Sequence, residues 1–381
     1  MSPPRIDDPV RLARAALSRL SEPGDHRLTA LTTELGPVVL YQRLSAQRDV
    51  NGVLDDVAVR LTSTDPEREL ERSAKLGIRF VTPEDDEWPA QLDDLAGAGV
   101  LHERGGIPIG LWVRGPLRLD RIGSSVAIVG SRSATTYGTG TAGEIAAVTA
   151  RAGVCVVSGA AYGIDQAAHR GAVAMDGPTV AVLACGADRI YPTGHADLIQ
   201  HIAATGAVVS EAPLGCSPQR VRFLARNRLI AGLTRGTVVV EAAVRSGALN
   251  TANWTERLNR PLMGVPGPVT SAASGGVHQR IRAGAATLVT NGEEVLELVG
   301  TAGEHLLDPP RGPVTPRDRL PVKQQQVLDA VPVATGAPIP SIARVAGLNL
   351  LEVTAALARL HAAGLVEQDL DGWRLAALAH T

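Results

Sequence analysis

The sequence predicts an α/β protein. An extended Rossmann-like, doubly wound and mostly parallel sheet is expected between a small helical N-terminal domain and a C-terminal winged-helix domain. The length of 381 residues suits two or three domains. Near-continuous apolar strands that alternate with helices are typical of a parallel sheet covered on both faces. Short β-branched runs of this kind, with helix-like segments between them, occur at 126–130, 154–159, 179–185, 207–211, 237–242, 261–267 and 286–290.

The N-terminal part of the chain has a different pattern. Residues 1–75 place apolar side chains at helical spacing between proline and glycine breakers, which predicts four or five short helices. The sheet domain is expected over residues 80–300. The apolar run 110–117 predicts an eighth strand at the edge of the sheet.

The C-terminal part reads as a linker followed by a small module. Residues 301–320 contain four prolines and predict a linker. Residues 321–381 predict three helices and a hairpin that turns at Asp371-Gly372, which is the winged-helix pattern. Because the third helix carries only Arg359 and His361 against Glu352, we expect this module to contact protein rather than DNA.

Composition excludes several classes of protein. Hydrophobic residues make up 45% and charged residues 20% of the chain, as in a globular protein with a sizeable core. The three cysteines form no CxxC pair, and no spacing typical of metal ligands occurs, so we expect neither disulfides nor a bound metal. No apolar run reaches the ~18 residues of a membrane span, and no signal peptide is recognisable. The sequence therefore predicts a cytoplasmic protein without membrane contact.

No cofactor is expected either. A GxGxxG pattern occurs at Gly138, Gly140 and Gly143, but it lies where the first helix of the sheet domain should already be running. A dinucleotide fingerprint belongs in the turn directly after a strand. Binding of a nicotinamide cofactor is therefore not predicted.

Positive charge is concentrated in one segment. Between Glu211 and Glu293 the sequence has ten arginines and two acidic residues, Glu241 and Glu256, so this segment carries +8 and the rest of the chain −10. A basic region in an otherwise acidic protein indicates a phosphate-bearing ligand. The alternative is a basic face that contacts only solvent.

The predicted strand ends suggest where such a ligand binds. The first strand ends in Gly130-Ser131-Arg132, and the second ends in Ser158-Gly159, with Gly163 following. Ligands of open α/β sheets bind outside the carboxyl ends of the strands. Small residues there let a phosphate approach backbone N–H groups, and Arg132 could add a bidentate contact.

A second stretch points to a nucleic acid. Residues 218–232 place Arg220, Phe223 and the triplet Arg226-Asn227-Arg228 together, and Ser246-Gly247 lie in the following stretch, 238–252. Guanidinium groups beside one exposed aromatic ring suit a single-stranded nucleic acid. The alternative for Phe223 is ordinary core packing. A Ser158–Asp165–His169 triad is not expected, because Asp165 and His169 are four residues apart on one helix and Ser158 lacks a GxSxG elbow.

Together these motifs resemble the DNA-processing protein A (DprA/Smf) family. The resemblance covers residues 80–300 and rests on the runs 126–138, 158–172, 191–192, 222–233, 238–252, 264–268 and 284–290. It implies a sterile-alpha-motif-like N-terminal domain and a homodimer. It also implies binding of single-stranded DNA without strong sequence preference and loading of the RecA recombinase during natural transformation.

The resemblance also implies particular residues. Leu224-Ala225 replace the more usual proline and basic pair, which removes one phosphate contact. The dimer interface would lie near His278, Ile281 and Leu288. The DNA site would comprise Gly130, Ser131, Arg132, Ser158, Gly159, Gly163, Arg220, Phe223, Arg226, Asn227, Arg228, Ser246 and Gly247.

Two other function classes remain open. The first is a nucleotide-binding enzyme of the lysine-decarboxylase-like and phosphoribohydrolase superfamily, whose signature is PGGxGTxxE. Aligning residues 246–251 with PGGxGT puts Trp254 where the catalytic glutamate is needed. The second is a protein-interaction scaffold that uses the winged helix, which leaves the basic segment unexplained.

Overall fold

A nine-stranded sheet forms the centre of the protein, in the spatial order β1-β4-β8-β7-β6-β5-β9-β10-β11. The computed structural model describes residues 8–46, 57, 60–61, 64–307 and 315–380. The strands of this sheet are β1 Ile78–Val81, β4 Leu111–Arg114, β5 Ser125–Val129, β6 Cys155–Ser158, β7 Thr179–Val182, β8 Ala207–Ser210, β9 Gly236–Val239, β10 Leu262–Gly264 and β11 Thr287–Leu288. A separate hairpin pairs β2 Val100–Leu101 with β3 Arg104–Gly105.

The seven strands from β5 to β11 are mutually parallel, as the sequence predicts. The apolar residues of β5 to β10 are buried, because helices cover both faces of this part of the sheet, whereas Leu288 of β11 is exposed. The expected edge strand forms as β4, but its position is a correction. It is antiparallel to β8 and lies second from the edge, since β1 pairs along its other side.

Helices connect the parallel strands and cover both faces. Val126 and Ile128 face one layer of helices, and Ala127 and Val129 face the other. This alternation produces two apolar cores, one on each side of the sheet. The helices are α5 Thr136–Arg151, α6 Ile164–Val173, α7 Ala196–Thr205, α8 Arg220–Gly232, α9 Ala248–Arg257, α10 Gly275–Arg282 and α11 Gly292–Val299.

The N-terminal helices pack against the β1–β4 side of the sheet. Ala15 shares a buried cluster with Phe80 of β1 and Trp112 of β4, and Arg14 donates a 3.0 Å hydrogen bond to the Ile109 carbonyl. The boundary expected at residue 75 therefore lies within one compact unit, Met1–Leu307. Parts of the expected 1–75 domain, residues 1–7, 47–56, 58–59 and 62–63, lie outside the described residues. The helices are α1 Pro9–Leu20, α2 His26–Leu35, α3 Pro37–Ser45 and α4 Pro66–Lys75.

The second unit, Asp308–Thr381, contains three helices and a hairpin, an arrangement compatible with a winged helix. Gly347 ends the second helix in the left-handed conformation. An Asn349–Glu352 capping box begins the third. Residues 308–314 of the expected linker lie outside the described residues. The elements are α12 Val322–Ala330, α13 Ile339–Ala346, α14 Leu350–Ala362, β12 Val366–Gln368 and β13 Trp373–Leu375.

Among the described helices, no single one has both the length and the apolar composition that a membrane span requires. The pair α13 and α14 meets both requirements only when counted together, across a bend of 104°.

Candidate nucleic-acid interface

A cavity of about 790 Å³ opens at the carboxyl ends of the parallel strands. Its walls come from the turn after β5, the start of α6, helix α8, the β9–α9 connection and the β2–β3 hairpin. Nine of the expected site residues line it: Gly130, Ser131, Arg132, Arg220, Phe223, Arg226, Asn227, Ser246 and Gly247.

The turn after β5 is held by its neighbour strand. The Ser131 N–H donates a 2.7 Å hydrogen bond to the carbonyl of Glu241, which follows β9. Gly130 packs against Ile164, so a side chain at 130 would clash with α6. The turn therefore presents Arg132 to solvent, with its guanidinium carbon 4.7 Å from the centre of the Phe223 ring.

Phe223 is half-buried and does not belong to the apolar core. Its ring is flanked by charged groups. Arg132 covers it at 4.7 Å, and the guanidinium carbon of Arg226 lies 5.9 Å from its centre. Contacts of this kind are cation–π interactions. Of the two possibilities for Phe223, the structure favours a ring in the cavity wall over a ring in the apolar core.

Arg226 passes beneath the cavity floor. Its Nη1 donates a 2.8 Å hydrogen bond to the Val182 carbonyl, and its Nε has no partner among the described residues. A Cβ at Gly159 would lie 1.6 Å from Nη1, so only glycine leaves room for the guanidinium. Gly159 therefore accommodates a protein side chain, where a phosphate was expected from the sequence.

Asp165 places a carboxylate at the same floor. It accepts hydrogen bonds from the backbone N–H groups of Gly159 (3.2 Å) and Ala161 (3.4 Å). Burial raises the pKa of the Asp165 carboxyl, and the Arg226 guanidinium opposes this shift. Among the described lining residues, Asp165 is the single carboxylate, so the wall is basic overall.

The start of α9 supplies amide groups. Asn227 Nδ2 donates to Asn250 Oδ1 at 3.2 Å, and Asn250 Nδ2 is buried with no partner in the described part of the chain. Ser246 and Gly247 precede this helix, whose first backbone N–H groups favour negative charge. The first three N–H groups of α9 already donate to Ser246 and Gly247, so the Asn250 amide is the donor at this helix start that lacks a described partner.

Ser158, Gly159, Gly163 and Arg228 do not line the cavity. Arg228 is fully buried and pairs with Glu211 through two hydrogen bonds of 2.6 and 2.8 Å. The Ser158 hydroxyl donates to the Ile128 carbonyl at 2.6 Å. Gly163 adopts a φ of 78°, and a Cβ at this position would lie 2.3 Å from the Ser131 carbonyl oxygen. The direct ligand contacts expected of these four residues stay predictions, and the structure gives each of them a contact within the protein.

The charge count from the sequence also needs correction. Four of the ten arginines of the basic segment form ion pairs with acidic residues, so their charge is largely compensated. The pairs are Arg222–Glu22, Arg228–Glu211, Arg260–Asp94 and Arg280–Glu256. The arginines that line the cavity are Arg132, Arg220, Arg226 and Arg245. None of these four forms an ion pair with a residue that the structure describes.

Several lining residues were not among the DNA-site residues expected from the sequence. Asp165, Arg245 and Asn250 lie within motifs that were recognised, so their places in those motifs were the available signal. His102, at the tip of the β2–β3 hairpin with φ 50°, carried no signal, because nothing in its local sequence relates it to the strand ends.

The Ser158–Asp165–His169 triad is not assembled. His169 Nδ1 lies 2.8 Å from the Thr179 hydroxyl, and burial lowers the pKa of His169 to about 3. Trp254, at the position where the rival enzymes need a glutamate, is fully buried in the core. No cluster of metal-ligating side chains occurs in the part of the chain that the structure describes.

These features define the class of protein. A basic cavity with an aromatic wall at the carboxyl edge of a doubly wound sheet is typical of a Rossmann-like protein that binds a phosphate-bearing ligand.

Comparison with known proteins identifies the family. A family model described as DNA recombination-mediator protein A matches residues 79–300. A putative DNA processing protein DprA of Mycobacterium tuberculosis H37Rv is 44% identical over 371 residues, which cover 97% of this chain and 95% of the relative. Protein Smf of Escherichia coli K12 is 36% identical over 72% of this chain and 73% of its own length. The chain belongs to this family of DNA-processing proteins.

Two solved structures are similar. DNA processing protein A from Streptococcus pneumoniae has a TM-score of 0.62 at 28% identity, over 76% of this chain and 96% of that one. The protein from Helicobacter pylori, whose structural description concerns its single-stranded DNA binding mode, has a TM-score of 0.50 at 28% identity, over 57% of this chain and 94% of that one.

Proposed function

We propose that this protein binds single-stranded DNA without strong sequence preference and loads the RecA recombinase onto it during homologous recombination or natural transformation. The observation that carries the binding step is the convergence of Arg132, Arg220 and Phe223 on one cavity from different parts of the chain. The DNA-binding mode described for the Helicobacter pylori relative supports the same reading.

The chemistry of the cavity fits a single strand. Arg132, Arg220 and Arg245 are exposed and can each reach a phosphate, while Phe223 offers a ring face to a base. Every base has a π-face, so such binding tolerates any sequence. The bases of a duplex are stacked and paired, and a duplex would have to open before a base could enter the cavity.

Binding rather than catalysis is proposed for this site. Hydrolysis of a glycosidic bond needs a carboxylate that protonates the leaving group, and Trp254 occupies the position of that carboxylate in the rival superfamily. Asp165 is held by two backbone N–H groups and lies beside Arg226, which suits a structural role under the cavity floor.

We further propose a homodimer that uses the end of the sheet near β11. Leu288 of β11 is 48% exposed, Ile281 packs partly against the core, and His278 Nε2 lies 3.1 Å from the Gly267 carbonyl oxygen. An exposed leucine on a terminal strand suits self-association. Leu288→Glu should convert a dimer to a monomer in light scattering. An unchanged mass would contradict this interface.

Paired arginine variants test the binding step. Arg132→Ala and Arg220→Ala should each weaken binding of a fluorescent oligo(dT) and make the slope of log affinity against log salt less negative by about 0.7. Arg151→Ala removes the same charge at the end of α5, away from the cavity, and should change neither quantity. Equal effects of all three variants would refute a localised site.

RecA loading needs its own measurement. RecA filament formation can be followed on single-stranded DNA already covered by a single-strand-binding protein. The wild-type protein should shorten the lag before filaments form, whereas the Arg132→Ala protein should not. A wild-type protein that binds DNA and leaves the lag unchanged would restrict the function to binding.

A further inference from the structure

Exposed tyrosines follow three neighbouring strands of the sheet. Tyr137 comes after β5, Tyr162 after β6 and Tyr191 after β7, with exposures of 47%, 50% and 42%. The chain has only ten aromatic side chains of the Phe, Trp and Tyr types, so exposing three of them at one edge is unusual. Parallel strands present their carboxyl ends at the same edge, which is also where the cavity opens.

Tyr191 contacts a residue of the cavity wall, and Tyr162 contacts the connection that carries Tyr191. The Tyr191 ring lies 6.0 Å from the Phe223 ring, centre to centre, at an angle of 59°. The Tyr162 ring meets His195 edge-on at 4.4 Å, in the same connection that carries Tyr191. His195 is fixed in turn, because its Nδ1 lies 3.0 Å from the Ala160 carbonyl oxygen. A ring contact thus joins Tyr191 to Phe223, and Tyr162 packs on His195 of the connection that carries Tyr191; we call Phe223, Tyr191 and Tyr162 the aromatic surface.

The charges around this surface suit a phosphate backbone. Arg189 is exposed two residues before Tyr191 and forms no ion pair with a described residue. The adjacent acid, Asp188, is already engaged by Arg72 at 3.2 Å and by the Gly215 N–H at 2.8 Å. An incoming phosphate near Tyr191 would therefore meet a positive charge with its acidic neighbour largely compensated.

Tyr137 differs from the other two. Its hydroxyl donates a 2.6 Å hydrogen bond to the Pro266 carbonyl, on the side of the sheet that leads to β10. No ring contact joins it to Phe223, Tyr191 or Tyr162 in the described structure. It is an equally exposed tyrosine at the same edge and provides a matched control.

We propose that Tyr191 and Tyr162 form a second stacking surface, which holds the bases next to the one bound at Phe223, with a neighbouring phosphate on Arg189. This inference rests on the proposed function, because it extends the same single-stranded ligand beyond the cavity. Base stacking on aromatic rings along a basic groove is how sequence-tolerant binding is lengthened from one nucleotide to several.

The proposal predicts that affinity depends on these tyrosines only for longer strands. Anisotropy titrations with mononucleotide, dT3 and dT12 would compare wild type with Tyr191→Ala, Tyr162→Ala and the Tyr137→Ala control. Each of the first two should lose roughly five- to hundredfold in affinity for dT12, the range of one lost stack. Binding of the mononucleotide should be unchanged, and Tyr191→Phe should bind dT12 like wild type because it keeps the ring.

The salt dependence separates stacking from charge. The slope for dT12 should stay the same in both tyrosine variants, since no phosphate contact is removed, whereas Arg189→Ala should make it less negative. A 5-bromodeoxyuridine-substituted dT12, cross-linked by light and mapped by mass spectrometry, should attach to Tyr191 or Tyr162. Cross-links confined to the cavity residues would overturn the proposal.

The outcomes distinguish this inference from the proposed function. If wild type binds dT12 and Tyr191→Ala binds it equally well, the second surface is refuted and the cavity site stands. If Tyr137→Ala weakens binding as much as Tyr191→Ala, the effect is not specific to the aromatic surface and the inference also fails. If wild type does not bind dT12 at all, the proposed function itself is wrong.

Discussion

Helix α8 carries arginines that line the cavity and one arginine, Arg228, that is buried in the protein. The variant Arg228→Ala tests this difference in role most sharply. Arg228 is completely buried, and its guanidinium makes two hydrogen bonds to Glu211. Glu211 also accepts a 3.2 Å hydrogen bond from the Gly24 N–H, so the pair joins the N-terminal segment to the sheet. Removing Arg228 would leave the Glu211 carboxylate buried and uncompensated.

The expected loss of stability follows from this burial. The two side chains are 0% and 7% exposed, so solvent screens their interaction little. Breaking such a pair by removing one partner costs about 3–5 kcal/mol. For a unit of this size, an unfolding entropy near 2.1 cal/mol/K per residue converts that cost into a decrease in Tm of roughly 5–8 °C.

Thermal and urea unfolding, followed by tryptophan fluorescence, would measure the change. Arg220→Ala is the matched control, since this arginine begins the same helix but is exposed, and its stability should change by less than about 0.5 kcal/mol. The reasoning would be refuted if Arg228→Ala kept its Tm while losing DNA binding, because Arg228 would then be a ligand contact.

Three further predictions concern other parts of the chain. Phe223→Ala should lower oligo(dT) affinity by about 1–3 kcal/mol, leave the salt slope unchanged and keep the Tm, as circular dichroism melting would verify; a large fall in Tm would assign Phe223 to the core. A truncation after Leu307 should bind oligo(dT) within tenfold of the full chain in anisotropy titrations, and a larger loss would give the C-terminal unit a part in binding. Because burial lowers the pKa of His169 to about 3, the unfolded state takes up a proton below pH 6.5 that the folded state does not. As the pH is lowered from 6.5 to 4, the free energy of unfolding should therefore decrease more steeply in wild type than in His169→Gln. The difference between the two slopes in urea titrations should be about 1.4 kcal/mol per pH unit, and equal slopes would contradict this.

The parallel sheet could be predicted because its strands are defined locally. The runs that form β5 to β10, such as Ser125–Val129, are short and buried on both faces, and the spacing between them leaves room for one crossover helix. The place of β4 could not be predicted in the same way. It depends on pairing with Ile78–Val81, a four-residue strand whose partner is remote in sequence.

The cavity was predictable as a location but not in its details. Arg226 and Arg228 are two residues apart on a helix, so their side chains point about 200° apart and cannot face one ligand together. Which of them faces the cavity depends on Glu211, a carboxylate from another element that pairs with Arg228. Arginine composition alone does not contain that information. The same holds for Arg222, whose charge is compensated by Glu22 from the N-terminal part of the chain.

The central claim is that one cavity at the carboxyl edge of the sheet binds single-stranded DNA through phosphates and a base. Its most direct test is an anisotropy titration of the full chain with oligo(dT) and with a duplex of the same length, over a series of salt concentrations. We predict tighter binding of the single strand and a negative slope of log affinity against log salt, near −0.7 for each phosphate contact. Equal affinity for the two DNAs, or a slope near zero, would contradict the account.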